Sequence, residues 1–304
     1  MMLSKIIGKV KMMMFPIFIL IIGLGSGYSM NSEKPGKIKK TGHFTLWQLP
    51  SQVDNIGNSY VLKTGKGHII VMDGGEVREA GYLREFIKQV GNGEVEAWFI
   101  SHPHADHIGA ITSILGDPQG IKIKTIYHSR FSEKMIAGND DMTRKFYGYL
   151  DNLNPGITHV VDLRTPGSEI KIDGVRFKIL GVTNEEITEN TYNNSSMVIR
   201  VWDKKKSVVF LADAGEECGD KVLAAYRNDL DCDYLQVSHH GQHGCRESFY
   251  KSIKFKACLW PTPSWVWDPR QGSRLTTMET RRWMEEIGIA EHYVSCRDGL
   301  VKLE

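Results

Sequence analysis

The stretch SHPHADHIGA, residues 101 to 110, places His102, His104, Asp106 and His107 within six positions, directly after the apolar run AWFI. Imidazoles this close repel one another when protonated. Removing them and a carboxylate from water is costly unless positive charge lies between them. Neutral imidazole nitrogens and carboxylate oxygens are the donors that a borderline-soft divalent cation takes. The spacing therefore predicts a metal site rather than a group of core histidines. Asp106 also falls in the first turn of a helix expected over DHIGAITSIL, where its charge complements the helix N-terminus.

Three further stretches end in metal-capable residues after apolar runs. IIVMDGG ends at Asp73, VVFLADAG at Asp213, and YLQVSHHGQHG at His239, His240 and His243. One aspartate after a strand is ordinarily a turn or cap residue. Together with the HxHxDH run, these exits point to a shared pocket at the carboxyl ends of strands, where α/β proteins place their sites.

The elements that must position these residues are short. β-rich runs such as HFTLWQL, NSYVLKTG, GHIIVMD, EIKIDGVRFKIL and SVVFLAD alternate with amphipathic stretches such as EAGYLREFIKQV, which puts Leu83, Phe86, Ile87 and Val90 on one face. GDKVLAAYRNDL, ESFYKSI and TTMETRRWMEEIG are further helical candidates. This alternation predicts an α/β fold with sheets covered by helices rather than a sandwich of sheets alone.

Residues 1–29 read as a signal peptide: Lys5, Lys9 and Lys11 precede the apolar run MMMFPIFILIIGLG, and the small residues GSGYS follow. The run is short for a membrane span of roughly 20 residues, and an uncleaved N-terminal anchor is the second reading. Residues 30–42 read as a linker, and 43–304 as one catalytic domain. Without residues 1–29, 35 basic residues face 36 acidic ones, so the formal charge moves from +2 to −1. A broad basic surface for nucleic acid is not encoded. The five cysteines show no CxxC spacing, so a structural zinc knuckle is not indicated, and an oxidising compartment would permit one or two disulfides without the sequence naming the pairs.

The order Asp73, His102-x-His104-x-Asp106-His107, Asp213, His239/His240 resembles the metallo-β-lactamase superfamily of metal-dependent hydrolases. Within it, IIVMDGG, SHPHADHIGA, NNSSMVIRV, VVFLADAG and VSHHGQHG are similar to the secreted hydrolase domain of bacterial competence (DNA-uptake) channel proteins. The phosphorylcholine esterase of surface teichoic acids has a similar fold and site. The resemblance implies a four-layer αβ/βα sandwich, two mixed sheets face to face with helices outside, and two divalent cations at one edge, zinc or manganese. It implies that His102 and His104 serve the first cation, Asp106 and His107 the second, and that Asp213 bridges them. One of His239 and His240 completes the second site, with His239 preferred. Asp73 is expected to hold the ligand loop from behind by hydrogen bonds. Many members carry another histidine shortly before the bridging aspartate. Here Asn193 and Asn194 stand there, and Asn194 is expected to support the site through its amide. His128 and His159 are not expected to ligate.

Two clamped cations supply a nucleophile from water at neutral pH, so no serine or cysteine nucleophile is needed. The resemblance makes Asp106 and Asp213 catalytic. His243 could orient a phosphoryl oxygen or protonate a leaving alkoxide. Trp260, Trp265 and Trp267 are expected to close a core, an aromatic wall for a base, choline or sugar being the functional alternative. The expected protein is an exported phosphodiesterase acting on extracellular nucleic acid or on an envelope phosphodiester. Ester, lactone or amide hydrolysis at the same site, and a binding module that keeps the fold without turnover, are the alternatives.

Overall fold

The computed structural model describes residues 43–138 and 140–304. The stretches read as leader (1–29) and linker (30–42) lie outside the described residues. The first half of the domain runs β1 (Phe44–Gln48), β2 (Ser59–Thr64), β3 (Ile69–Asp73), α1 (Ala80–Gly91), β4 (Glu94–Val95), β5 (Ala97–Phe99), α2 (Ala105–Gly116), β6 (Lys122–Ile123), β7 (Thr125–His128), α3 (Asp141–Asp151) and β8 (His159–Asp162). The second half runs β9 (Glu169–Ile172), β10 (Val175–Ile179), β11 (Ile199–Trp202), β12 (Ser207–Phe210), α4 (Glu216–Tyr226), β13 (Tyr234–Gln236), α5 (Glu247–Lys251), β14 (Ala257–Trp260), α6 (Ser264–Trp267), α7 (Thr277–Ile287), β15 (Glu291–Val294), α8 (Ser295–Asp298) and β16 (Val301–Leu303).

Two seven-stranded mixed sheets result, in the orders β16-β1-β2-β3-β5-β7-β8 and β15-β14-β13-β12-β11-β10-β9. In the first, β16 to β3 pair antiparallel and β3 to β8 parallel. In the second, β12 to β15 are parallel and β9 to β12 antiparallel. The last strand, β16, returns to pair with the first.

Alternation along the strands divides the core into three apolar layers. On β3, Ile69 and Val71 join the layer under α1, α2 and α3, whereas Ile70 and Met72 join the layer between the sheets. On β12, Val209 faces the layer under α4, α5 and α7 while Val208 and Phe210 face the other sheet. Strands buried on both faces explain the near-continuous apolar runs in the sequence. Phe99 sits between Tyr127 and Phe177, with ring centroids 4.7 and 5.0 Å away, and so ties the two sheets together. Truncating such a residue to alanine costs roughly 3–5 kcal/mol. The result is the four-layer sandwich the resemblance implied.

α1 ends where Asn92 takes a left-handed conformation (φ 56°) and returns its N–H to the Lys88 carbonyl. α2 lies so close to the backbone of residues 76–77 that a Cβ on Gly109 would meet Val77 N at 2.4 Å. α3 had no counterpart in the sequence reading. Its amphipathic face of Phe146, Tyr147 and Leu150 packs on the core, while Gly148 lies within the helix. Among the described residues no helix is long and apolar enough to cross a membrane.

β7 ends in His128, which is buried with its Nδ1 unpartnered. Burial outweighs the nearby Asp162 and lowers this imidazole to about 4. In the unfolded chain the same group takes up its proton near its ordinary value of about 6.5. The unfolded state therefore binds the extra proton between those values, and stability falls as pH drops through that window. Urea midpoints measured across it should decline less steeply for His128→Phe than for the unaltered chain. Parallel declines would show that His128 carries none of the acid sensitivity.

Candidate metal centre

Four strands deliver the site to one edge. β3 ends at Asp73, the segment after β5 carries His102 to His107, the segment after β12 carries Asp213, and the turn after β13 carries His239 and His240. The Met197 N–H donates to the Ser101 carbonyl at 2.8 Å and joins the two sheets at this edge. The connecting turns are tight. Asp73, Ala212, His239, His240 and His243 all have positive φ, between 47° and 57°. For non-glycine residues this costs about 1–3 kcal/mol each unless the surroundings dictate it. Here they do. The His239 N–H donates to the Ala212 carbonyl, the Gln236 side chain bonds Ala212 N and O, and Thr262 Oγ1 donates to the His240 carbonyl. Gly241 follows at φ 89°, where a Cβ would meet the Trp260 ring at 2.7 Å.

Two donor groups converge, and Asp213 belongs to both. Asp106, His107, Asp213 and His240 form one; His102, His104 and Asp213 form the other; in each, the donor atoms lie within 4.8 Å of one another. Asp213 Oδ2 is 3.2 Å from His107 Nε2, 3.4 Å from His240 Nε2 and 3.8 Å from His102 Nε2. His240 Nε2 is 3.0 Å from Asp106 Oδ2, and His102 Nε2 is 3.0 Å from His104 Nδ1. His102, His107, Asp213 and His240 are each at most 1% exposed. His107 Nε2 and Asp213 Oδ1 are buried without a hydrogen bond, although Asp213 Oδ2 approaches His107 closely. Buried polar atoms are rarely left so. A divalent cation among Asp106, His107, Asp213 and His240 would satisfy both, so the donor set fits the metals the fold implies.

The remaining ring nitrogens are held from behind. Asp73 accepts from His107 Nδ1 at 2.8 Å, from Asn58 Nδ2 at 2.7 Å, and from Ser101 N and Oγ at 2.7 and 2.8 Å. Fixing Nδ1–H in this way turns the His107 Nε2 lone pair into the site. His240 Nδ1 donates to the Pro261 carbonyl at 2.8 Å, and His102 Nδ1 lies 3.1 Å from Ser101 Oγ and 3.4 Å from Ser196 Oγ.

The electrostatics divide along the same line. Burial disfavours charge on His107 and His240, but Asp213 and Asp106 reverse this: His107 is raised well above its usual value and His240 is pushed up to about 10. Burial likewise opposes charge on Asp106 and Asp213, yet the adjacent imidazoles hold both carboxyls well below their ordinary range. His102 and His104 are lowered, first by burial and then by neighbouring imidazoles. Both are therefore neutral donors at neutral pH.

Several sequence expectations need correction. His240, not His239, stands with Asp106 and His107. Both residues adopt left-handed backbone, so strand alternation does not decide between them. His239 instead donates Nδ1–H to the His243 carbonyl at 3.3 Å, with its Nε2 3.9 Å from Asp213 and 3.3 Å from Asn193 Nδ2. Asn194 does not face the site. Its amide bonds Glu217 and the Glu189 carbonyl and accepts from Cys218 N, and so caps the start of α4. Asn193 takes the expected place, buried, with Oδ1 unpartnered. The His243 side chain lies outside both donor groups, in an adjoining groove of about 460 Å³ that Glu216, Arg246 and Trp283 also line. Trp260 and Trp267 pack against each other in the core, whereas Trp265 is exposed. His128 is buried on β7 and His159 is exposed on the edge strand β8; neither is in a donor group. All five cysteines are free thiols. The supports Asn58, Ser101, Ser196 and Gln236 had been missed; of these only Ser101, adjoining the cluster, had a local signal.

Residues 53–282 match the family model of the metallo-beta-lactamase superfamily, whose members are mostly metal-dependent hydrolases. No curated protein sequence matches. Among solved structures, the chain is similar to the metallo-beta-lactamase fold protein YhfI from Bacillus subtilis, with 13% identity and a TM-score of 0.55 over 86% of this chain and 100% of that one. It is also similar to CmlA, a diiron beta-hydroxylase from Streptomyces venezuelae, with 12% identity and a TM-score of 0.54 over 86% of this chain and 54% of that one. At such identities the structural likeness speaks for the fold alone. The family match covers most of the domain and includes the whole HxHxDH segment and Asp213, and on that ground the chain belongs to the metallo-β-lactamase superfamily.

Proposed function

We propose that this chain is an exported hydrolase that works with two divalent cations and cleaves phosphodiesters. The observation that carries the reading is the Asp213 carboxylate, shared by two donor groups in one buried cluster. His102, His104 and Asp213 would hold one cation, and Asp106, His107, His240 and Asp213 the other. Imidazole and carboxylate together suit zinc or manganese. Such a pair supplies a nucleophile at neutral pH and neutralises charge that develops on the substrate. The chain's own part is orientation: Asp73 fixes His107, the Pro261 carbonyl fixes His240, and the strained turn after β13 presents both neighbouring histidines.

A polyanionic substrate is favoured by the loop between α6 and α7. It carries the exposed Arg270 and Arg274, neither in an ion pair among the described residues, and its Thr276 accepts from His243 N in the ligand turn at 2.7 Å. His243 itself is assigned to contact with bound substrate from the adjoining groove. Extracellular nucleic acid or an envelope phosphodiester, met after export, fits this picture, as does a competence-related hydrolase.

Metal content of the purified chain after reconstitution should be two cations per molecule. His240→Ala should lower it to one, His239→Ala should leave it at two, and Asp213→Ala should lose both along with all turnover. Loss of a cation in His239→Ala but not in His240→Ala would reverse the assignment. Bis-p-nitrophenyl phosphate should be hydrolysed, with activity removed by a chelator and restored by metal. Cleavage confined to carboxylic esters, lactones or amides would reject the phosphodiester, and no turnover on any of these would reject an enzyme. For a polymeric phosphodiester, Arg270→Ala with Arg274→Ala should raise KM several-fold and flatten its salt dependence by about one to two phosphate contacts. Hydrolysis of the small diester should be unchanged. An unaltered polymer KM would remove these arginines from the binding surface.

A further inference from the structure

One ring of the site differs from the rest in how it is held. His102, His107, His239 and His240 each have the nitrogen turned away from the donor cluster within hydrogen-bond distance of a hydroxyl, a carboxylate or a carbonyl. His104 presents Nδ1 towards His102, and among the described residues its Nε2 has no hydrogen-bond partner. It is also only partly buried. A ring on a rotatable side chain with no second anchor loses affinity for whatever it ligates, because its orientation must be fixed at the moment of binding.

The face of that ring is not free. Tyr192 stacks on it with centroids 4.8 Å apart and planes 14° from parallel. The edge of Phe131 packs against Tyr192 at 4.9 Å and 74°. The Tyr192 hydroxyl donates to Asp140 Oδ2 at 2.6 Å and accepts from Ala137 N at 3.2 Å. Asp140 is the N-cap of α3, accepting from Thr143 N at 2.9 Å. Thr143 is fully buried, and its Oγ1 lies 2.6 Å from Asp140 Oδ2 and 2.9 Å from the carbonyl of Pro103, the residue between His102 and His104. The contacts therefore close a ring that leaves the 102–104 peptide at Pro103, passes through Thr143, Asp140 and Tyr192, and returns at the imidazole of His104.

We propose that Tyr192, tethered through Asp140 to the cap of α3, is the positioning residue of the first donor pair and sets the plane of His104 so that its Nδ1 faces His102 Nε2. The inference rests on the two-cation reading above and deepens it. The first group has three protein donors against four in the second, so the first depends more on each ring being pre-set. Tyr192 does not belong to either donor group, and its role is exerted through His104.

The test compares Tyr192→Leu, which removes the stack, with Tyr192→Phe, which keeps the stack and cuts the tether. Cation binding is measured by chelator competition with zinc and with manganese, and thermal unfolding of the metal-free chain is followed in parallel. In Tyr192→Leu the weaker of the two cations should bind roughly 10-fold or more weakly, the tighter one should be unchanged, and the Tm of the metal-free chain should stay close to that of the unaltered chain. Tyr192→Phe should bind the weaker cation with an affinity between those of the unaltered chain and Tyr192→Leu, because the ring still stacks on His104 while its bond to Asp140 is lost. Two wild-type affinities in Tyr192→Leu would overturn the proposal while leaving the metal reading intact. Equal loss at both sites together with a large fall in Tm would also overturn it, by showing a general support. An unaltered chain that takes up no cation would overturn both.

Discussion

Asp213 is taken almost completely out of water between the edges of two sheets, and the geometry around it follows from what a buried carboxylate requires. The idealised cost of moving an isolated carboxylate into a dry interior is of order 20 kcal/mol, and several kcal/mol remain after relaxation. Here three imidazoles approach it from two separate segments, His107 and His102 after β5 at 3.2 and 3.8 Å and His240 after β13 at 3.4 Å. Asp106 shares two of those imidazoles. Removing His107 or His240 takes a charged partner from both buried carboxylates, which is more costly than never having built the set. The same closure explains why His107 and His240 hold protons far more tightly than His102 and His104. Cations and protons compete for one group of buried negative charges, so cation affinity there falls as pH falls.

Such a cluster needs a scaffold that tolerates local strain. The three apolar layers are continuous and owe nothing to the site, and the stack of Phe99 with Tyr127 and Phe177 fixes the spacing of the sheets. Five of the ten left-handed non-glycine residues among the described residues, Asp73, Ala212, His239, His240 and His243, lie instead in the turns at the site, where hydrogen bonds brace Ala212 and the histidine pair. Stability and precision thus come from different parts of the molecule. The layers supply the first and the edge supplies the second.

This division also governs how much could be read from the sequence. Strands buried on both faces write themselves as apolar runs, and a polar residue that ends such a run marks the edge. Asp73, the HxHxDH segment and Asp213 were legible for that reason. Choices made within a turn were not. His239 and His240 both leave the strand repeat for left-handed backbone, and Asn193 and Asn194 sit in one turn of 3₁₀ helix, so alternation predicts nothing about which member of either pair faces inward. The supports were harder still. Asn58, Tyr192 and Asp140 reach the site from segments distant in sequence, and α3, although as amphipathic as α1, carries no signal that its Asp140 cap turns towards the site. Tertiary packing decides these positions, and it leaves no local pattern.

The two donor groups are unequal in ways that bear on chemistry. One has two carboxylates and two fully buried imidazoles; the other has the shared carboxylate, a buried imidazole and the half-buried His104. Charge and burial both favour the first-described group as the tighter holder of a cation, since more donors and less water mean less to reorganise on binding. The sparser group borders His239 and Asn193, whose Oδ1 is buried and unpaired. On the proposed two-cation reading, the asymmetry would give the Asp106, His107 and His240 side the tighter hold on a cation and leave the His102 and His104 side the more open to exchange, with Asp213 coupling the two.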